Sequence, residues 1–212
     1  MLIIFIVSTL IHLYASLKKD QPLRDFSKPF ILLSLTGFYC FSVNEISPTV
    51  VLAMFFSWLG DILLIPKGTS WFTAGGIAFM ISHFFFILSY LKYIDFRKFS
   101  VLIIIAAALF YILTVTLIFR KLKEHLPKKL FYPMYLYLLI NGTMNCFALF
   151  RFFSNMDMAG IITAIGAMLF FISDTCLFFV RFNKQSRMKT HFWVMSTYSL
   201  GEFLIVLGLI LQ

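Results

Sequence analysis

The chain is poor in charge, in paired cysteines and in every catalytic signature that soluble enzymes carry. Only 13% of its residues are charged, about half the share in a soluble domain. Cys40, Cys146 and Cys176 each sit in an apolar run and form no C-x-x-C pair. A disulfide framework and a thiolate zinc site are therefore not expected. There is no glycine-rich phosphate loop, no G-x-S-x-G and no H-E-x-x-H. The four histidines, His12, His83, His125 and His191, are too scattered to suggest a three-histidine zinc centre. No metal and no cofactor is expected. No hydrophilic stretch is long enough to make a soluble domain.

What is present is apolar. Hydrophobic residues make up 61% of the 212, and the mean hydropathy is +0.93. At roughly 20 apolar residues per crossing, the sequence predicts an all-α, polytopic membrane protein. The expected architecture is a bundle of eight transmembrane helices around a central polar pocket, forming one domain over 1–212. Charge, proline and glycine bound the candidate crossings at 1–17, 29–43, 49–65, 71–91, 99–119, 131–150, 159–180 and 192–211. Met1 opens straight into Leu2-Ile3-Ile4-Phe5-Ile6 without a basic leader. The first segment therefore reads as a retained helix.

The net charge of +9 comes from the loops, where it sets orientation and lipid contact; no nucleic-acid partner is expected. Loops one, three, five and seven hold Lys18, Lys19, Arg24, Lys28, Lys67, Arg120, Lys121, Lys123, Lys128, Lys129, Arg181, Lys184, Arg187 and Lys189. The other side holds only Lys92, Arg97, Lys98 and Arg151. Positive residues stay cytoplasmic, so both termini are predicted to be non-cytoplasmic. The expected location is a bacterial inner (cytoplasmic) membrane.

Against this background two acids stand out. Asp61 and Asp174 lie inside runs built to cross a membrane. A carboxylate in hydrocarbon costs several kcal/mol, which makes it a functional candidate by default. Asp61 lies five residues before Pro66 and Asp174 seven before Arg181. At 1.5 Å per residue they sit about 7–10 Å from the same membrane face, at similar depth. Helical spacing adds polar rows. Gly76, His83 and Tyr90 share a face of helix four; Gly160, Ala167 and Asp174 share a face of helix seven. Ser57 and Asp61, Tyr137, Asn141 and Asn145, and Tyr198 and Glu202 form i, i+4 rows, and Ser173 precedes Asp174. A structural alternative pairs Asp61 with Lys28 or Lys67, and Asp174 with Arg181. The serines can instead bond their own helices, and the asparagines can serve as interhelical glue.

Several elements occur in order: Ser27-Lys28-Pro29-Phe30, Phe56-Ser57-x-x-Gly60-Asp61-x-x-Leu64, Phe79-x-x-x-His83, Tyr137 with Met144, Gly166-Ala167-x-x-Phe170-x-x-Ser173-Asp174, and Tyr198 with Glu202. With these the chain resembles the YhhN/TMEM86 family of membrane proteins, whose characterised members are lysoplasmalogenases. The resemblance implies eight helices and hydrolysis of the vinyl ether bond of a lysoplasmalogen to a fatty aldehyde and a glycerophospho-alcohol. It implies Asp61 and Asp174 as the catalytic acids, with Lys28 and His83 as further polar positions. Lys28 and its neighbours would hold the phosphate. Ser57, Tyr137, Asn141, Asn145, Ser173, Tyr198 and Glu202 would bind or orient. Expected partners are a lysophospholipid and the surrounding membrane lipids. One departure stands in the last helix, where the family pattern has glutamine and this chain has Glu202.

Two carboxyls suit vinyl ether cleavage, because the reaction needs a proton donor and an anion beside an oxocarbenium ion. They suit proton relay equally well, so a proton-coupled transporter or lipid carrier is the alternative.

Overall fold

The computed structural model describes residues 1–183 and 191–212. Lys184, Arg187 and Lys189, which enter the loop-charge argument, lie outside the described residues. Among the described residues there are eight α-helices and no strand: α1 (Leu2–Lys18), α2 (Gln21–Ser42), α3 (Pro48–Leu63), α4 (Thr69–Leu91), α5 (Val101–Leu122), α6 (Phe131–Asn155), α7 (Met158–Phe182) and α8 (His191–Ile210). Five segments are long and apolar enough to cross a membrane: Thr69–Leu91, Val101–His125, Lys128–Asn155, Met158–Phe182 and His191–Ile210. Leu2–Lys18 and Pro48–Leu63 are apolar but shorter. The first turns of α2 carry Arg24, Asp25 and Lys28, which dilutes its apolar character. By composition and length this is a helical membrane protein.

Seven helices close a ring. In ring order they are α1, α2, α3, α4, α6, α7 and α8, which returns to α1. Helix α5 stands outside and packs mainly on α6. Its sequence explains this. Only Val115 and Leu122 are buried, while Val101, Leu102, Leu109, Phe110 and Leu113 point outward. Such an apolar surface would be a liability in water and is ordinary in lipid.

Glycine sets the tightest seam in the ring. A Cβ on Gly166 would lie 2.6 Å from the Ile205 backbone nitrogen, and one on Gly201 would lie 2.9 Å from the Gly166 carbonyl. Helices α7 and α8 therefore meet backbone to backbone, as small residues permit in membranes.

Two boundaries differ from the expected ones in ways that matter. Helix α2 starts at Gln21, not 29. Asp20 caps it by accepting from Leu23 N at 3.1 Å, Pro22 occupies its first turn, and Pro29 lies inside the helix. Pro29 reads as a start signal in the sequence, but a capping acid with an early proline is the stronger one. Helix α6 runs on to Asn155, past the expected end at 150. Arg151, assigned to a loop by the sequence, thus lies inside the helix and is buried.

Candidate active site

The start of α2, the end of α3, the start of α4, the end of α7 and the start of α8 all come together at one end of the ring. A cavity of about 100 Å³ opens there, and both Asp61 and Asp174 line it. The two carboxyls lie within electrostatic reach of each other.

Their surroundings differ. Both oxygens of Asp61 are engaged. Oδ1 meets Lys28 Nζ at 3.1 Å, and Oδ2 accepts from the Tyr198 hydroxyl at 2.9 Å. Lys28 Nζ also donates to the Asp61 carbonyl at 3.1 Å. The pair bridges α2 and α3, and Tyr198 ties in α8. Gly60, just before Asp61, lets the Phe79 ring of α4 pack against α3, because a Cβ there would lie 2.7 Å from that ring.

Among the described residues Asp174 has no lysine or arginine partner of this kind. Its Oδ2 accepts from the Tyr137 hydroxyl at 2.5 Å and from Asn141 Nδ2 at 2.7 Å. No hydrogen bond reaches Oδ1 from the described residues. His83 Nε2 stands 3.9 Å from Oδ2, beyond direct hydrogen-bond reach. The other nitrogen, Nδ1, is bonded to the Phe79 carbonyl. A carbonyl can only accept, so Nδ1 carries a proton. In neutral His83 the bare nitrogen then faces Asp174.

The remaining candidates divide. Asn145 donates to the Asn141 carbonyl at 3.1 Å and to Asn141 Oδ1 at 3.2 Å. It orients Asn141 and does not reach Asp174 itself. Ser173 lines the cavity, but its hydroxyl donates to the Val194 carbonyl at 2.8 Å and ties α7 to α8. Ser57 bonds Ser82 at 2.7 Å, not its own helix. Glu202 is fully buried and lies outside the cavity lining. Neither of its oxygens has a partner in hydrogen-bond geometry among the described residues, although the Ser57 hydroxyl faces it. Of the structural pairings weighed from sequence, Asp61 with Lys28 is present. Asp174 and Arg181 line one cavity without an ion pair.

Sequence reasoning missed much of the cavity mouth. His12, Arg24, Asp25, Arg181 and His191 all line it. His12 Nδ1 meets Ser27 Oγ at 3.1 Å, and His191 lies within electrostatic reach of Arg24, Lys28 and Arg181. Arg24 lies 3.8 Å from Asp25, and Arg181 stacks 5.2 Å above the Phe72 ring. The signals existed. Arg24 and Lys28 are four apart once α2 starts at 21, and Arg181 is seven after Asp174. Lys28 itself, expected to hold a phosphate, is committed to Asp61.

Fold and site define a helical membrane protein with an acid-lined, cation-rimmed cavity opening at one end of a helix ring. Residues 23–209 match the model of the YhhN family, and the chain belongs to that family. No curated protein and no solved structure matches it.

Proposed function

We propose that the protein is an intramembrane hydrolase that cleaves the vinyl ether bond of a lysoplasmalogen. All eight helices would cross the membrane, and the loop cations would put the cavity mouth on the cytoplasmic side. Family membership supports a hydrolase of this kind. The observation that carries the chemistry is the unlike bonding of two acids on one cavity.

Asp61, ion-paired with Lys28, is the standing anion. Asp174, whose donors among the described residues are uncharged and whose Oδ1 takes no hydrogen bond from them, is the proton donor. Protonation of the outer alkene carbon by Asp174 leaves an oxocarbenium ion, and the Asp61 carboxylate stabilises it, as in glycoside hydrolysis. Water then adds to the cationic carbon, and its proton restores Asp174. The hemiacetal collapses to aldehyde and alcohol. His83 Nε2, close to Asp174, orients that water or relays its proton. With Lys28 occupied, the phosphate falls to Arg24, Arg181 and His191 at the mouth.

The test compares purified protein with a lysoplasmalogen and with a saturated lysophospholipid. Aldehyde is expected from the first alone. Asp174→Asn should lower its release by about a hundred- to ten-thousand-fold, and Asp61→Asn should also abolish it. Full activity in either variant removes that acid from the mechanism. Proton flux or uptake in liposomes without aldehyde would favour a carrier instead.

A further inference from the structure

Beside the acid-lined cavity lies a second space, an apolar slot of about 40 Å³ between α4, α6 and α7. Gly76, Ile77 and Met80 line it from α4, Pro133 and Met134 from α6, and Leu177 from α7. The two spaces share walls, since Leu64, Phe72, Phe79 and Leu177 line both. Tyr137 joins them chemically. Its ring lines the slot while its hydroxyl holds Asp174. At the outer rim Ile77 is half exposed on the surface of the bundle. The slot thus lies between the Tyr137–Asp174 contact and the surface of the bundle.

Two adjacent glycines on α4 behave differently. A Cβ on Gly75 would meet Leu64 at 3.0 Å and the Gly60 carbonyl at 3.2 Å, so close packing accounts for that glycine. A Cβ on Gly76 would meet only the Tyr137 ring, at 4.0 Å. Gly76 has no left-handed φ to explain it either. Glycine within a helix costs about 0.5–1 kcal/mol relative to alanine. Neither packing nor backbone geometry offsets that cost here. What Gly76 provides is open space in the slot.

We propose that the slot takes the single hydrocarbon chain of an amphiphile whose polar end lies at the acids, and that Gly76 is the residue that keeps it open. The proposal rests on the lysophospholipid reading of the cavity and assigns its chain subsite. A larger side chain at 76 projects into the slot toward the Tyr137 ring. It therefore excludes chain methylenes.

The test reads binding, so it does not need cleavage. Wild type and Gly76→Leu are purified in detergent and offered saturated lysophosphatidylethanolamine of long or of short chain. Retained lipid is counted by native mass spectrometry. Gly76→Leu should weaken long-chain retention by about tenfold or more, the value of a few excluded methylenes, and leave short-chain retention unchanged. Gly76→Ala, which adds one uncrowded methyl, should fold and shift retention slightly the same way. Equal loss for both chain lengths, or no change in either variant, overturns the proposal. If the chain-length effect holds while no aldehyde forms from lysoplasmalogen, the subsite stands and the hydrolysis falls.

Discussion

At one end of the ring Lys28 meets Asp61 beside a cavity. At the other, Arg151 is buried more deeply, at 1% exposure, and meets no carboxylate among the described residues. Its guanidinium donates to Thr163 Oγ1 and, at 3.0 Å, to the Gly208 carbonyl, and it stacks 5.4 Å from the Tyr93 ring. Arg151 thereby joins α6 to the start of α7 and the end of α8, where Gly208 admits close contact with Thr163. Both cations are in costly places, and they are satisfied differently. Neutral acceptors and a ring face suffice to lock helices together. On the function proposed above, a carboxylate partner beside a cavity adds something else, a negative charge next to space that a substrate can fill. The comparison then sets a buried cation that only locks helices against one that would serve a site.

Breaking the Lys28 pair should have the larger effect. Lys28→Met leaves the Asp61 carboxylate buried without its cation, and removal of one partner from a buried pair costs about 3–5 kcal/mol. Unfolding in detergent, followed by helicity, should show that loss, and aldehyde release should fall with it. Wild-type stability in the variant would mean that the pair is not formed in the folded protein.

Arg151→Met should sharpen the contrast. Thr163 keeps a bond to the Ala159 carbonyl at 2.9 Å and the Gly208 carbonyl keeps the Gln212 amide at 3.1 Å, so what is lost is the pair of hydrogen bonds from the guanidinium and its ring contact. The expected cost is about 1–3 kcal/mol. Activity per folded molecule should not change, because Arg151 does not line the cavity. A specific-activity loss at unchanged stability would make the two ends functionally equivalent and erase the distinction.

The sequence displayed one end better than the other, for physical reasons. Asp61 and Asp174 were legible because an acid in an apolar run is costly, and helical spacing put Tyr137 and Asn141 on one face. Both reach Asp174. Helix existence was legible from hydropathy, and most ends fell within a few residues of the expected ones. The charged first turns of α2 were not legible, because Pro29 and the polar residues before it imitate a loop. That single misplacement put Arg24 and Lys28 outside the bundle when they line its cavity. Arg151 was hidden by the same logic, since a cation after an apolar run looks like a boundary. Gly60, Gly166 and Gly201 were visible as small residues, but their backbone contacts are tertiary facts. No local pattern carried the order of the ring or the exclusion of α5.

The smallest effect is expected at Tyr198. Its ring packs edge-on against Phe79 at 6.1 Å and against Phe170 at 5.3 Å. Phenylalanine preserves those contacts, so Tyr198→Phe removes only the hydroxyl that donates to Asp61 Oδ2. Asp61 keeps its 3.1 Å contact with Lys28. The loss is one hydrogen bond to an acceptor that keeps its other partner, and it should cost about 0.5–1.5 kcal/mol in stability. If Tyr198 acts only through Asp61, aldehyde release should fall by roughly tenfold at most, with substrate affinity unchanged. Thermal melts in detergent and a kcat/KM comparison read both. A collapse as deep as that of Asp61→Asn, in a protein of near-normal stability, would contradict this. The Tyr198 hydroxyl would then have to touch the substrate itself, and Lys28 alone would not be enough to hold Asp61 in its working position.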